Sequence, residues 1–349
     1  MTANPIGSNR PVSLEDIAAK AGVSRSTVSR VINDEPYVSE KTRQRVKAVI
    51  EQEGFAPNPA ARALVTQRSQ AIGVVIPLVP VAVFENAYYF PTLLQGVSRV
   101  TYEQDYALLL WLAQAAQGEE SFYRQVARNR LMDGVILASA PDDNPVIERL
   151  LEKRIPFVLV ERPSHYYDRV NYVTVDNVEA AFEAVSHLIN LGRQHIGTIT
   201  GNLAIPDAKE RLQGYRKALI AAGRDVDETL IVVGGFDHEG GYRGMQQLLM
   251  QKVDAVFAAS DLTARGALQA LHEAQIAVPD DIAVVGFDDL PTAVQVSPPL
   301  TTVRQPIEQK GAIAASILID FIEGKVSELQ QIVLPTQLVI RESCGALQG

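Results

Sequence analysis

The chain has 349 residues, of which 47% are hydrophobic, and its formal net charge is −9. At roughly 100–200 residues per domain, this length predicts about two or three units with ordinary cores, and it argues against a disordered chain. A single cysteine, Cys344, excludes an intramolecular disulfide framework and favours a reducing compartment.

The N-terminal stretch MTANPIGSNRPVS has no apolar run, so it does not predict a secretory signal. Longer apolar runs further on are interrupted by proline and are too short to span a bilayer. We therefore expect a soluble, cytoplasmic protein.

The charge is distributed unevenly along the chain. Residues 1–70 contain ten basic and seven acidic residues, which leaves 22 basic and 34 acidic residues for the remainder. A slightly basic head on an acidic body favours contact of the head with an anion such as nucleic acid. An excess this small also arises by chance.

The front of the chain predicts two short helices joined by a tight turn. In the stretch SLEDIAAKAG, Ser13 and Asp16 have the spacing of a capped helix start, and Gly22 suits the helix end. Ser24 caps the second helix, whose apolar residues face inward by their i, i+3, i+4 spacing: Val28, Val31 and Ile32. A third helix is predicted from Ser39 to about Glu53.

Two helices joined by a turn that contains glycine form a helix-turn-helix arrangement. With its apolar face inward, the second helix presents arginine and hydroxyl side chains that can reach base edges or phosphates in the major groove. These residues are Arg25, Ser26, Thr27, Ser29, Arg30 and Asn33. An ordinary three-helix bundle with a polar face is the alternative, but the caps, the turn glycine and the exposed donors together favour DNA.

The stretch GFAPNPAARALVTQRSQ, from Gly54, predicts a linker that contains a short helix. Asn58 can cap this helix and Pro59 suits its first position. A helix of about two turns is marginal in water on its own, so it needs a partner surface. From the residue types alone, an interdomain loop is equally consistent.

From Ala71 onward, continuous apolar runs rich in Val and Ile alternate with helical stretches. Such runs are typical of parallel strands that are covered on both faces, and their order indicates repeated βαβ units. The predicted strands are 71–77, 106–113, 133–139, 156–162, 172–177, 195–201, 230–235, 254–260 and 282–289, and the helical stretches include 178–191, 208–222, 239–251 and 262–274. The series divides near Arg169–Asn171 into two similar halves.

Polar and aromatic residues at the strand ends are candidate ligand contacts, because open α/β sheets bind ligands at the carboxyl ends of their strands. Asp288 can accept hydrogen bonds from hydroxyls and Arg211 offers a planar fork of donors. The other candidates are Tyr89, Phe90, Asp207, Phe236 and Ser260. Each also has an ordinary interpretation as a helix-surface charge, a turn former or a core aromatic.

No motif for a phosphate loop, a dinucleotide-binding turn or a serine hydrolase is present. The histidines, at positions 165, 187, 195, 238 and 272, lack metal-ligand spacing. We therefore predict no cofactor, no metal and no enzymatic activity.

The stretch SLEDIAAKAGVSRSTVSRVIN, with its VSxxTVSRVIN core, resembles the DNA-binding head of the lac/galactose repressor family of bacterial transcription regulators. The body resembles the periplasmic-binding-protein-type sensor domain of the same family, so the resemblance covers the chain from about residue 12. It implies a small all-α head followed by two doubly wound α/β subdomains with parallel sheets. The implied boundaries are 1–56 for the head, 57–70 for the hinge and 71–349 for the effector-binding domain, with 71–168 plus 293–323 in subdomain one and 172–290 plus 326–345 in subdomain two.

The resemblance also implies roles for individual residues. Arg25, Ser26 and Arg30 would face the bases, and Thr27, Ser29 and Asn33 would mostly hold phosphates. In the hinge pattern PNxxARxL, Leu64 would wedge between base pairs, and Ala61 would allow two hinge helices to approach closely. Ser13 and Asn58 complete the implied DNA-binding set.

The implied effector pocket consists of Tyr89, Phe90, Asp207, Arg211, Phe236, Ser260 and Asp288. Two features depart from the family pattern: the loop LVPVAVFENAYYFP is longer and carries the aromatic run Tyr88–Phe90, and Ser260 stands where many members have Asn. Because rings stack on sugars and carboxylates take hydroxyl pairs, we expect a mono- or disaccharide, with a purine-like ligand as the alternative.

The expected function is a ligand-responsive regulator, a repressor that binds a palindromic operator as a homodimer and that a sugar releases. A corepressor effect has the opposite sign and stays open, as do the operator, the regulated genes and the choice between dimer and tetramer. The alternative is a solute-binding protein for sugar transport or sensing, and a third class is an enzyme. The absent export signal and the helix-turn-helix argue against the solute-binding protein, and the absent motifs argue against the enzyme.

Overall fold

The chain divides into two units, Met1–Ser69 and Gln70–Gly349. The computed structural model describes residues 12–32, 35–55, 68–76, 88–112, 131–142 and 144–346. The predicted hinge contacts Asn58, Ala61 and Leu64, and the predicted phosphate contact Asn33, lie outside these residues.

The described residues of the first unit form three helices: α1 (Leu14–Ala21), α2 (Arg25–Ile32) and α3 (Glu40–Glu53). The predicted cap of α1 is confirmed. The Asp16 N–H donates to the Ser13 hydroxyl at 3.3 Å, and the Ser13 N–H donates to the Asp16 carboxylate at 2.8 Å. Gly22 ends the helix with a φ of 62°, a left-handed conformation that glycine adopts at little cost.

The core of this unit forms where the three helices meet. Its fully buried members are Ile17, Val28 and Val46, and Val31 is 3% exposed. Ile32 is partly buried and packs against them. The predicted inward face of α2 is therefore confirmed, and the opposite face of this helix lies toward solvent.

The strands described in the second unit form two six-stranded sheets. The first has the order β11-β5-β4-β3-β1-β2, with all its pairs parallel. Its strands are β1 (Ala71–Ile76), β2 (Ala107–Leu112), β3 (Gly134–Leu137), β4 (Phe157–Leu159), β5 (Asn171–Val175) and β11 (Gln331–Leu334). Helices α4 (Tyr89–Glu103), α5 (Pro145–Lys153) and α11 (Ile307–Glu323) accompany it.

The second sheet has the order β12-β10-β9-β8-β6-β7, and its β10–β12 pair is antiparallel. Its strands are β6 (Ile196–Thr200), β7 (Ile231–Val233), β8 (Ala255–Ala258), β9 (Ala283–Asp288), β10 (Thr301–Arg304) and β12 (Gln337–Val339). The helices that accompany it are α6 (Asn177–Asn190), α7 (Pro206–Ala221), α8 (His238–Leu249), α9 (Asp261–Glu273) and α10 (Thr292–Gln295). We call the two halves the first and the second subdomain.

The pairing corrects the predicted subdomain boundaries. Strand β5 pairs with β4 and so belongs to the first subdomain, although the expectation placed 172–290 in the second. Strand β10 pairs with β9 in the second sheet, although the expectation placed 293–323 in the first subdomain. Strand β11 pairs with β5 in the first sheet, although the expectation placed 326–345 in the second subdomain. The chain thus crosses between the subdomains after β5, β10 and β11, each time at the carboxyl end of a strand.

Helices α4 and α11 pack closely in the first subdomain, because glycines stand at their contact. A Cβ at Gly96 would lie 1.9 Å from the carbonyl oxygen of Glu308, and one at Gly311 would lie 2.2 Å from that of Leu93. This approach fixes the first turns of both helices relative to each other. Within the described part of the chain, no helix is long and apolar enough to cross a membrane.

Candidate functional site

The outward face of α2 carries the predicted DNA contacts. Arg25, Ser26 and Arg30 are exposed, and Thr27 and Ser29 are half-buried. The Ser24 hydroxyl accepts the Thr27 N–H at 3.1 Å, which caps the helix as expected and fixes its first turn. The arginines and hydroxyls that this turn presents are the donors that base edges and phosphates accept.

Within the described part of the head, each of the two arginines of this face lies near an acidic side chain. Arg25 Nε lies 3.2 Å from Glu15 Oε1, and Arg30 Nε lies 3.7 Å from Glu35 Oε2. All four side chains are well exposed, so these pairs are weak and give way readily to another anion. The Ser13 hydroxyl is committed to Asp16, so any DNA contact of Ser13 competes with the cap of α1.

A cluster of buried charges lies between the subdomains, at the carboxyl ends of their strands. Glu161 follows β4, Asp288 ends β9 and Gln305 follows β10. Asp207 and Arg211 lie one turn apart on α7. Each of these side chains is at most 6% exposed. Of these residues, the sequence predicted Asp207, Arg211 and Asp288 and missed Glu161 and Gln305.

Arg211 is the centre of this cluster. Its Nη2 lies 3.8 Å from Asp207 Oδ2, and its Nη1 lies 3.6 Å from Asp288 Oδ1. It also donates to the Ala259 carbonyl at 2.5 Å and to Asn177 Oδ1 at 2.9 Å. The guanidinium therefore balances two buried carboxylates and is held in place by two hydrogen bonds within the protein.

Two aromatic rings cover the Arg211 guanidinium. The Phe287 ring centroid lies 3.6 Å from Arg211 Cζ, and that of Phe236 lies 5.5 Å away. Phe236 has a φ of 69°, and a Cβ at Gly201 would lie 2.2 Å from its ring. Glycine at position 201 is thus what allows this ring to reach the cluster.

Tyr89 and Phe90 start α4, so they are helical residues and not part of the long loop to which the sequence assigned them. Their rings meet edge to face at 5.2 Å. The Tyr89 hydroxyl accepts a hydrogen bond from Lys310 at 3.3 Å. Burial, followed by the charges of Asp207, Glu161 and Asp288, raises the pKa of Tyr89, which stays protonated.

Ser260 has a role within the fold. Its hydroxyl accepts the Thr263 N–H at 3.2 Å and lies 2.9 Å from the Thr263 hydroxyl, which caps α9. The neighbouring Ala259 carbonyl is the one that holds Arg211. Ser260 thus lies beside the cluster, with its hydroxyl committed to the helix start.

Two ion pairs join the subdomains next to the cluster. Lys209 Nζ lies 2.6 Å from Asp142 Oδ2, and Arg162 Nη2 lies 2.8 Å from Glu210 Oε1. Asp142 and Arg162 follow strands of the first sheet, whereas Lys209 and Glu210 are consecutive residues of α7. We call the space between the facing strand ends of the two subdomains the cleft, and the two subdomains its walls. In this structure the two walls are therefore in direct contact.

The acids of the cleft titrate differently because their surroundings differ. Burial would raise the pKa of Asp142, but hydrogen bonds from Lys209 and Ser164 outweigh it and hold that pKa below its ordinary value. Burial raises the pKa of Asp288 to about 6, although Arg211 limits the rise. The half-buried Asp142 and the buried Asp288 thus have pKa shifts of opposite direction.

Burial and then the charge of Asp207 raise the pKa of Glu161 to about 8, although the Ser139 and Ala140 N–H groups and the Lys310 charge oppose this. Because the folded state holds this proton and the unfolded state releases it near pH 4.5, stability falls as the pH rises toward 8. We expect the free energy of unfolding of the ligand-free protein to fall by about 2 kcal/mol more between pH 6 and pH 9 than that of Glu161→Gln. Urea unfolding at both pH values measures this, and equal losses in the two proteins would refute a protonated Glu161.

Sequence models of two known families match the chain. The model described as "Bacterial regulatory proteins, lacI family" matches residues 13–58, and the one described as "Periplasmic binding protein-like domain" matches residues 185–344. The transcriptional regulator CelR of Thermobifida fusca is 40% identical over 337 residues, which cover 96% of this chain and 98% of CelR. The transcriptional repressor PurR of Escherichia coli O139:H28 is 33% identical over 333 residues, which cover 95% of this chain and 96% of PurR.

Solved structures agree with these relatives. A complex of CelR with cellobiose matches with a TM-score of 0.76 at 38% identity, covering 96% of this chain and 100% of the other. The lac repressor dimer bound to operator and the anti-inducer ONPF matches with a TM-score of 0.81 at 26% identity, covering 96% and 99%.

A helix-turn-helix head followed by a binding domain of two parallel-dominated sheets defines a class of protein, the ligand-responsive DNA-binding transcription regulator. The chain belongs to the lacI family of bacterial regulatory proteins, since its match to CelR extends over nearly the whole of both chains. The expected family and fold class are thereby confirmed.

Proposed function

We propose that the protein is a repressor that binds a palindromic operator as a homodimer and is released when a small saccharide binds between its subdomains. One observation carries the choice of effector. Asp207 Oδ1 and Gln305 Oε1 are buried and have no hydrogen-bond donor among the described residues. Because buried acceptors without a donor are costly, a ligand with several hydroxyl donors fits this cleft.

Other features support a saccharide. The half-buried ring of Phe236 offers a face on which a pyranose can stack, and the Asp288 carboxylate can accept a pair of hydroxyls. The CelR structure at 38% identity is described as a complex with cellobiose. Cellobiose is therefore the first effector to test, and a purine base is the alternative ligand.

The proposed release follows from closure of the cleft. A ligand that contacts both walls favours the closed arrangement, in addition to the ion pairs of Lys209 and Glu210. We propose that closure separates two hinge helices of the dimer and so raises the cost of DNA binding. Moving a two-state population from 99:1 to 1:99 needs about 5.5 kcal/mol of differential affinity, which two bound ligands can share.

Fluorescence anisotropy tests the proposal, with a labelled duplex that the wild-type protein selects from a random-sequence library. We expect a near-palindromic duplex, a protein dimer on it, and release by cellobiose or another neutral mono- or disaccharide. Tighter binding with the sugar would make the effector a corepressor, and a response to purine bases alone would refute the saccharide.

Arg30→Ala is expected to weaken binding to this duplex by about 1–3 kcal/mol, because the variant lacks a base or phosphate contact of α2. Arg243→Ala is the matched control, since Arg243 is an equally exposed arginine with a glutamate partner in the second unit. Anisotropy titrations at one fixed salt concentration measure both. An Arg30 variant that binds like the control would show that this face of α2 does not meet DNA.

Leu64→Ala is expected to reduce affinity for the selected duplex about tenfold or more and to leave binding to random DNA unchanged. The reason is that an apolar wedge acts only where the duplex is kinked at the operator centre. Val65→Ala, one position further along the predicted hinge helix, is the control. Equal losses on both kinds of DNA would exclude the wedge.

We propose further that the protein binds its effector without transforming it, and that it acts in the cytoplasm. Prolonged incubation with cellobiose followed by chromatography is expected to return the sugar unchanged. Formation of glucose would assign an enzymatic activity to the cleft.

A further inference from the structure

Lys310, in the first turn of α11, is a fully buried lysine. Its ammonium group donates to the Tyr89 hydroxyl at 3.3 Å and lies 5.8 Å from the centre of that ring. Among the described residues, the Tyr89 hydroxyl is the hydrogen-bond acceptor of this ammonium, and no carboxylate forms an ion pair with it. Since an ammonium has three donors, two of them have no acceptor among the described residues.

This arrangement is costly for the folded protein. A buried charge is stable only when it is paired and hydrogen-bonded, and here the attraction of Asp288 acts over a longer distance than an ion pair. The close packing of α4 on α11 at Gly96 and Gly311 keeps the first turn of α11 in place. The described residues offer these donors no further acceptor, and a ligand in the cleft can supply one.

The surroundings define the chemistry of that acceptor. Two acceptors of the same cleft, Asp207 Oδ1 and Gln305 Oε1, lack donors, as described above. A hydroxyl group accepts a hydrogen bond from an ammonium and donates one to such an oxygen, whereas a carboxylate only accepts. Because Glu161 is protonated, Asp207 and Asp288 already balance the cations Arg211 and Lys310, and an anionic ligand would add a buried charge without a partner.

We propose that Lys310 is a specificity-determining residue of the effector site, donating its ammonium hydrogens to a hydroxyl or ring oxygen of a neutral polyhydroxyl effector. This inference rests on the proposed function of the cleft as a saccharide site. The site thereby selects neutral sugars over their acidic derivatives, and Lys310 donates a hydrogen bond to one particular oxygen of the sugar.

Isothermal titration calorimetry tests this with cellobiose, or with the panel sugar that the wild type binds most tightly. The ligands are this sugar, its singly deoxygenated analogues and its aldonic acid. The proteins are the wild type, Lys310→Met, Lys310→Arg and the control Lys325→Met. Lys325 is a half-exposed lysine just after α11 that pairs with Asp320 and Glu323.

We expect Lys310→Met to bind the sugar about 10- to 100-fold more weakly, as for one lost hydrogen bond to a charged group. Lys325→Met should bind like the wild type. One deoxygenated analogue should bind weakly to the wild type and lose no further affinity in Lys310→Met, because its missing oxygen is the one that Lys310 contacts. The aldonic acid should bind the wild type more weakly than the sugar.

Thermal unfolding of the ligand-free proteins separates binding from folding. Lys310→Met is expected to unfold at or above the wild-type temperature, since it removes a poorly paired buried charge. If that variant does not fold, Lys310→Arg keeps the charge and changes the donor geometry, so it should alter the ranking of the analogues.

Three results would overturn the assignment. Lys310→Met could bind the sugar with wild-type affinity, it could bind every deoxygenated analogue more weakly than the wild type by the same factor, or the wild type could bind the aldonic acid more tightly than the sugar. Each of these leaves the effector function of the cleft intact. A wild type that binds no sugar of the panel would instead refute the proposed saccharide effector, and the role of Lys310 with it.

Discussion

Asp288→Asn is expected to abolish the response to the effector while operator binding persists. Asp288 Oδ1 accepts a hydrogen bond from Gln305 at 2.6 Å and lies 3.6 Å from Arg211, so its carboxylate is held rigidly at the end of β9. Asparagine keeps the shape of this side chain but removes the charge and one acceptor oxygen. Because hydrogen bonds to charged groups contribute about 1.5–3 kcal/mol each, the loss of a hydroxyl pair weakens sugar binding by a factor of roughly 100 or more.

Fluorescence anisotropy with the selected duplex measures both operator binding and its release by the sugar. The Asp288 variant should bind the duplex with wild-type affinity and should stay bound at sugar concentrations that release the wild type. Asp225→Asn is the control, because Asp225 is exposed in the loop after α7. A normal release curve for the Asp288 variant would remove this residue from the site, and a loss of DNA binding would indicate a structural role.

Arg211→Met is expected to lower the free energy of unfolding by about 3–5 kcal/mol. The reason is that the variant leaves Asp207 and Asp288 buried without their shared cation, together with an acceptor at Asn177 that loses its donor. For a unit of this size, that corresponds to a fall in the melting temperature of roughly 10 °C. Sugar binding should be lost as well.

The control for this prediction lies on the same helix. Arg216 pairs with Glu228 at 2.7 Å, but both side chains are well exposed, so Arg216→Met should cost less than about 1 kcal/mol. Adding Asp207→Asn to Arg211→Met should restore part of the lost stability, because one uncompensated carboxylate is then gone. Calorimetric melting of the four proteins decides this, and equal melting temperatures for the two arginine variants would contradict a central role of Arg211.

The effects of Arg211 and Asp288 are expected to be coupled. The Arg211 charge limits the rise in the Asp288 pKa that burial causes, so without Arg211 this pKa should rise above about 6. The stability deficit of Arg211→Met should then shrink as the pH falls toward 6, because Asp288 takes up its proton at a higher pH in the variant than in the wild type. A double-mutant cycle between the two positions at pH 7 and pH 5 measures this coupling.

Local sequence patterns predicted those structural features that depend on residues close together in the chain. The spacing of Ser13 and Asp16 predicts the cap of α1, and the apolar spacing of α2 predicts its buried face, because both depend on residues within two turns of each other. The first nine strands were placed for the same reason, since a run of apolar residues between turns is a strand wherever it pairs. Asp288 was found because it ends such a run, whereas Arg211, on α7, was found from its fork of donors and from the family resemblance.

The sequence alone determined the helix-turn-helix, the α/β character of the body and the strand ends where charged residues gather. Only the tertiary structure decided that β5 and β11 join the first sheet while β10 joins the second, because lateral strand order depends on contacts between distant segments. It also decided that Glu161, Gln305 and Lys310 enter the cleft. A lysine on a helix reads as a surface residue, and only the packing of α11 against α4 and the neighbouring strand ends buries Lys310 beside the acids.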